Sequence, residues 1–152
     1  MARTRIILIV GSGRNVGKTL LGEHIVSLLA KRGLRVCTVK HVHHGVDYRV
    51  KDTGRYLAAG AYRVYAVASS ELMLVERRSV DLLSLLGQLA ESDCDIIVVE
   101  GFRSIIREAK RRFNGGVYIV CIDLHNDSCD LSIEPGFDAP RVATRILEQL
   151  GL

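Results

Sequence analysis

The sequence predicts a doubly wound α/β fold, with a mostly parallel sheet and helices on both faces. Three observations carry that reading: short uninterrupted apolar runs, helical stripes that alternate with them, and a glycine-rich turn joining the first run to the first stripe. Continuous apolar strands are what a sheet covered on both faces requires, because neither face meets water. With 152 residues, 48% of them hydrophobic, the chain is expected to form a single domain over 1–152 with a sizeable core. No Trp, three Phe and five Tyr leave that core to aliphatic packing.

The elements follow in order. Arg5–Val10 reads as the first strand and runs straight into the glycine-rich turn. Leu20, Leu21, Ile25, Leu28 and Leu29 then form a helical stripe, stopped at Lys31-Arg32-Gly33. A second strand covers Arg35–Lys40, followed by a polar stretch holding three histidines and a short helix from Asp52 to about Ala59. Tyr62–Ala68 alternates toward a third strand, with Leu72–Val75 beside it as a hairpin through Ser69-Ser70. Ser79 is placed to cap a helix carrying Leu82, Leu83, Leu85, Leu86 and Leu89. Asp95–Val99 is a continuous apolar strand, a basic helix follows, and Val117–Ile122 is the last strand expected. The final helix opens near Asp138 with Pro140 in its first turn.

The turn after the first strand constrains the chemistry most tightly. Gly11-Ser12-Gly13-Arg14-Asn15-Val16-Gly17-Lys18-Thr19-Leu20 joins a strand to a helix, the order in which a phosphate-binding loop works. Glycines let several backbone N–H groups converge on one anion, and the helix adds its positive end. Lys18 would reach the β- and γ-phosphates and the Thr19 hydroxyl would hold Mg²⁺. The strict spacing asks for glycine where Ser12 stands, so measured from Gly11 the loop is one residue longer. The fold expected is therefore P-loop NTPase-like, with this loop as the nucleotide cofactor site.

Ligands in such sheets sit beyond the C-terminal ends of the strands. That rule selects Gly11–Thr19, Lys40–Asp47, the Ser69-Ser70 turn, Glu100-Gly101 and Asp123–Asp127 as walls of the site. Glu100 closes an apolar strand, where a carboxylate can hold Mg²⁺ or a metal-bound water, or simply end the strand in solvent. Lys40 could stabilise phosphate or developing negative charge. His41, His43 and His44 follow it and suit contact with an anionic or pterin-type ligand or a partner, a metal site completed by Asp47, or a solvated loop. A carboxylate at Asp123 could accept the two guanine N–H donors, a match adenine lacks, or cap a turn.

A net charge of +4 suits an anionic small ligand or acidic partner but is no signature of nucleic-acid binding. Arg103, Arg107, Lys110, Arg111 and Arg112 crowd one segment, most simply a solvated helix face. No segment approaches membrane-spanning length, and the apolar run Ile6–Val10 is too short for a signal peptide. Cysteines at 37, 94, 121 and 129 contain no Cys-x-x-Cys pair. Cys37 and Cys121 lie in apolar strand-like runs and read as buried small hydrophobes, and with no disulfide framework expected the setting reads as reducing and cytoplasmic.

With these residues in view, the chain resembles the molybdopterin-guanine dinucleotide biosynthesis adapter family, protein B of that pathway. The resemblance rests on Gly17-Lys18-Thr19, Val39-Lys40-His41-Val42-His43-His44, Asp47, Lys51-Asp52-Thr53, Ala59-Gly60-Ala61, Val67-Ala68-Ser69 and Val98-Val99-Glu100-Gly101-Phe102. It covers residues 5–104 well and the rest loosely. It implies a homodimer that binds GTP with Mg²⁺, hydrolyses it slowly, and assists the molybdenum cofactor guanylyltransferase acting on molybdopterin. Departures are the longer loop, Leu20 for a second threonine, Arg103 for a lysine, and a short stretch after Phe102. The longer loop is similar instead to that of dethiobiotin synthetase, which would imply ATP-dependent phosphoryl transfer to a carboxylate.

Overall fold

Strand β1 (Arg5–Gly11) is apolar throughout its middle, and Ile6–Val10 are buried. The computed structural model describes residues 5–43, 45–46 and 51–152. By proximity the chain divides into two compact units, Met1–His41 with Leu82–Leu152, and Val42–Asp81.

In the first unit, β1 is the centre of a parallel sheet with β2 (Val36–Lys40), β5 (Ile96–Glu100), β6 (Val117–Ile122) and β7 (Leu131–Ile133). The order is β2-β5-β1-β6-β7, so the chain runs from β1 to the β2 edge and, after β5, crosses past β1 to β6 and β7 on the other side. That makes the C-terminal end of β1 the switch point where a ligand crevice opens. Helices α1 (Lys18–Lys31) and α5 (Ala139–Gln149) cover one face, burying Leu21, Ile25, Leu29, Ile146 and Leu147 against Ile7, Ile9, Val98 and Ile122. Helices α3 (Leu82–Ala90) and α4 (Ile106–Arg112) cover the other, with Leu83, Leu86 and Ile106 on Leu8, Ile97, Val99 and Ile119. Alternate residues of β1 and β5 thus enter different cores, as the two-residue strand period requires. Asp138 caps α5 by accepting from the Arg141 N–H at 3.0 Å, and Pro140 sits in the first turn as expected.

In the second unit, helix α2 (Lys51–Ala58) precedes the antiparallel pair β3 (Arg63–Val67) and β4 (Leu72–Glu76). Leu57 and Thr53 are buried, while Tyr65, Val67, Leu72 and Leu74 share an exposed face of the hairpin. The predicted hairpin is present, but its strands form their own two-stranded sheet. The strand-end rule therefore does not reach Ser69-Ser70.

Several local expectations are corrected. Helix α3 begins at Leu82, so Asp81 rather than Ser79 immediately precedes it. Leu20 is half exposed instead of joining the buried stripe of α1. The short strand β7 was not foreseen, because a three-residue strand is too brief for periodicity to register. The cysteines are not free thiols. Cys37 pairs with Cys94 and Cys121 with Cys129, at Cα separations of 5.8 and 6.0 Å. The first pair joins β2 to the turn that leads into its neighbour β5. Cysteine usage consequently no longer argues for a reducing compartment.

Candidate nucleotide-binding site

Strand register assembles the site before any side chain is considered. Lys40 lies opposite Glu100 on β2 and β5, Ile9 of β1 opposite the same Glu100, and Gly11 opposite Ile122 of β6. Four of the five segments selected from the sequence therefore start at one rim of the first unit.

The phosphate loop leaves β1 at Gly11. A side chain there would bring Cβ within 2.6 Å of Val16 Cγ2 and 3.3 Å of Lys18 Cδ, so Val16 would have to shift to admit one. Gly17 adopts φ +101° and starts α1; its carbonyl accepts from the Leu21 N–H at 3.0 Å. A Cβ on Gly17 would also press on the Phe137 ring at 3.0 Å, a neighbour that sequence reading missed. Asn15 has φ 58°, a left-handed conformation that asparagine tolerates better than most residues. Lys18 folds back over the loop and donates to the Gly13 carbonyl.

Ser12, at the non-glycine position, is held from both neighbouring strand ends. Its N–H donates to the Ile122 carbonyl at 3.1 Å and its hydroxyl to Asp123 Oδ2 at 2.6 Å. Its own carbonyl accepts from Arg103 Nη1 at 3.1 Å. Asp123 was singled out for guanine recognition; here it is exposed, in the left-handed region at φ 52°, with one oxygen on Ser12. The Ser12 and Arg103 contacts were not predicted. They join residues 111 and 91 positions apart in sequence, and only the strand order brings them together.

On the β5 side, the Thr19 hydroxyl donates to Glu100 Oε1 at 2.8 Å, and Lys40 Nζ lies 3.7 Å from Glu100 Oε2. The Glu100 side chain is 20% exposed. The hydroxyl and carboxylate proposed as metal ligands from the sequence thus converge. Gly101 has φ +96°, and a Cβ on it would lie 2.8 Å from His41 Cβ. Phe102 also has positive φ, and its ring stacks on the His41 imidazole at 4.5 Å. The Glu-Gly-Phe run is therefore a tight turn that seats the carboxylate and offers His41 an aromatic partner. His43 is exposed and belongs to the second unit. His44 and Asp47 lie outside the described residues.

This loop and acidic strand end fit a nucleotide with its divalent cation. A hard cation takes hydroxyl and carboxylate oxygens, and the loop supplies the glycines and lysine that a phosphate-binding turn uses. The family model described as "Molybdopterin guanine dinucleotide synthesis protein B" (MobB) matches residues 6–110. The chain belongs to that family.

Among curated MobB relatives, the probable molybdopterin-guanine dinucleotide biosynthesis adapter protein of Bacillus subtilis is 36% identical over 104 residues, 64% of this chain and 58% of that protein. The adapter protein of Escherichia coli is 30% identical over 103 residues, 64% of this chain and 59% of that one. The chain thus matches less than two thirds of the length of either. The crystal structure of Bacillus subtilis MobB superposes with a TM-score of 0.60 at 24% identity, covering 95% of this chain and 97% of that one. An APS kinase of Mycobacterium tuberculosis reaches the same TM-score of 0.60 at 14% identity, with both chains fully covered. These likenesses show the P-loop NTPase-like α/β fold. The MobB match takes in the phosphate loop, Lys40, His41, Glu100 and Arg103, whereas Asp123 lies beyond it. No helix among the described residues is long and apolar enough to cross a membrane.

Proposed function

We propose that this chain is a Mg²⁺-dependent GTP-binding adapter with weak GTPase activity, serving guanylyl transfer in molybdenum cofactor biosynthesis. The observation that carries the reading is the Thr19–Glu100 hydrogen bond of 2.8 Å beside a lysine folded onto its own glycine-rich loop. It links the phosphate loop to the acidic strand end, as nucleotide chemistry with a divalent cation needs. Family membership supports the pathway, and the Bacillus and Escherichia relatives are named as adapters in it. The partners in this reading are the guanylyltransferase, molybdopterin and a second copy of the chain in a cytoplasmic homodimer.

Each residue then has a role. Loop residues 11–17 present backbone N–H groups to phosphate, Lys18 neutralises the β- and γ-phosphates, and Leu20 continues into the first turn of α1. Thr19 and Glu100 would hold Mg²⁺, with Asp47 a further candidate; the ion supplies charge neutralisation across the phosphates. Glu100 orients water for slow hydrolysis while Lys40 offsets developing charge. The second oxygen of Asp123 is the acceptor for guanine. His41, His43 and His44 meet the anionic ligand or the partner enzyme.

Isothermal titration with GTP and with ATP, each with Mg²⁺, tests the reading. GTP is expected to bind with preference, and Lys18→Ala to weaken it at least about tenfold, as loss of a charge-assisted contact to phosphate demands. Unchanged affinity in the folded variant would remove the phosphate-loop role. A preference for ATP would favour the carboxylate-ligase reading that the longer loop suggested.

A further inference from the structure

Two cations rest on adjacent carbonyls of the phosphate loop. Lys18 donates to the Gly13 carbonyl, and Arg103 donates through Nη1 to the Ser12 carbonyl at 3.1 Å. Adjacent residues are only about 3.8 Å apart between Cα atoms, so both cations hold one short stretch of the loop. Neither Lys18 nor Arg103 forms an ion pair among the described residues, while Lys40 faces Glu100 and Lys110 faces Asp130. A guanidinium carries five N–H donors in a planar fork, and one bond to a carbonyl leaves most of that capacity unused.

The direction of approach narrows what Arg103 meets. It stands three residues after Glu100, on the turn that leaves β5. Thr19 and Glu100 mark that side of the loop and are the residues that would hold a divalent cation, which would neutralise phosphate charge there. A ligand ending at its β-phosphate would sit against the loop and Lys18, and a third phosphate would add charge on the side where Thr19 and Glu100 meet.

We propose that Arg103 is a specificity-determining residue that binds the γ-phosphate of a nucleoside triphosphate, exchanging its hold on the Ser12 carbonyl for a forked contact to the terminal phosphate. The inference rests on the nucleotide-binding reading above and adds discrimination between triphosphate and diphosphate. A bracing role is the rival, since Ser12 is also anchored by Ile122 and Asp123 and the arginine could simply complete that anchor. The two roles differ in what they do to diphosphate.

Arg103 is exposed, so its replacement leaves the core untouched. Affinities of the full chain and of Arg103→Ala for GTP, GDP, ATP and ADP, all with Mg²⁺, make the test, with circular dichroism to confirm the fold. Loss of a charge-assisted contact should weaken triphosphate binding about 10- to 100-fold. Diphosphate affinity should change less than about threefold, and Arg103→Lys, which keeps the charge without the fork, should fall between. Equal losses for triphosphate and diphosphate would make Arg103 a brace and overturn the proposal, as would no loss for either. A wild-type chain that binds none of the four would overturn the nucleotide reading itself, and this proposal with it.

Discussion

The two ends of the parallel sheet are built on opposite principles. At the end where the strands begin, segments are tied repeatedly. The Arg35 N–H donates to Asp95 Oδ2 at 2.7 Å, the Asp95 N–H donates back to the Arg35 carbonyl at 2.8 Å, and Arg35 pairs with Asp93 at 3.1 Å. The Cys37–Cys94 disulfide closes the same strand pair covalently. At the end where the strands finish, the backbone is strained instead. Asn15, Phe102 and Asp123 are the non-glycine residues with positive φ among the described residues, and they follow β1, β5 and β6. Such conformations cost about 1–3 kcal/mol for ordinary residues and persist where surrounding structure holds them. The finishing end has a tie of its own, Cys121–Cys129 at the close of β6, so what sets it apart is the strained turns around the proposed nucleotide site.

The largest effect should come from cutting the Cys37–Cys94 tie. Its partners are 57 residues apart, and closing a loop of that length stabilises by about 4 kcal/mol in the chain-entropy model. The double variant Cys37→Ala/Cys94→Ala should lose stability of that order in denaturant unfolding. Its nucleotide affinity should stay within about twofold at temperatures where it is folded, because Lys40 and Glu100 remain aligned by their ladder. An affinity that falls together with stability would show that the two ends are not separate.

A smaller effect of mixed character is expected at the strained end. Gly101→Ala places a methyl 2.8 Å from His41 Cβ at a backbone φ of +96°, so the turn must shift and carry Glu100 with it. A destabilisation of about 1–3 kcal/mol should accompany weaker nucleotide binding. Gly13→Ala is the control. Nothing lies within 4 Å of its Cβ and its φ is not positive, so thermal unfolding should move little, by less than about 0.5 kcal/mol. Equal losses in the two variants would mean that crowding at Gly101 is not what fixes the turn.

This division explains what could be read in the sequence. The buried strands and the ends of α1 and α5 are legible because apolar continuity, Gly33 and the Asp138–Pro140 start act locally. Gly11, Lys18, Thr19 and Glu100 are legible because a phosphate-binding loop and an acidic strand end each need particular residue types in one short segment. The ties that organise these segments are long-range. Ser12 to Asp123, Arg103 to Ser12 and Cys37 to Cys94 exist only once the strand order is known, and spacing along the chain carries no trace of them. The hairpin shows the complementary failure. Alternation at Tyr65, Val67, Leu72 and Leu74 announced strands correctly but could not say that they leave the main sheet.

Glu100→Gln should have a small effect on stability and the sharpest effect on chemistry. The amide keeps the shape of the carboxylate, and its oxygen can still accept from the Thr19 hydroxyl, now at 2.8 Å. The pairing with Lys40 at 3.7 Å is lost, but that lysine side chain is 58% exposed, so solvent already screens it and the cost should stay below about 1 kcal/mol. Nucleotide binding should remain within about tenfold, since the phosphate contacts come from the loop and Lys18. Hydrolysis should fall at least tenfold, about 1.4 kcal/mol of barrier, because the charge that holds the cation and orients water is gone. Single-turnover GTP hydrolysis measured beside thermal unfolding separates these quantities. Intact hydrolysis in Glu100→Gln would reduce Glu100 to a strand-end residue; a large loss of stability would instead assign this end of the sheet the structural role that the comparison gives to the other.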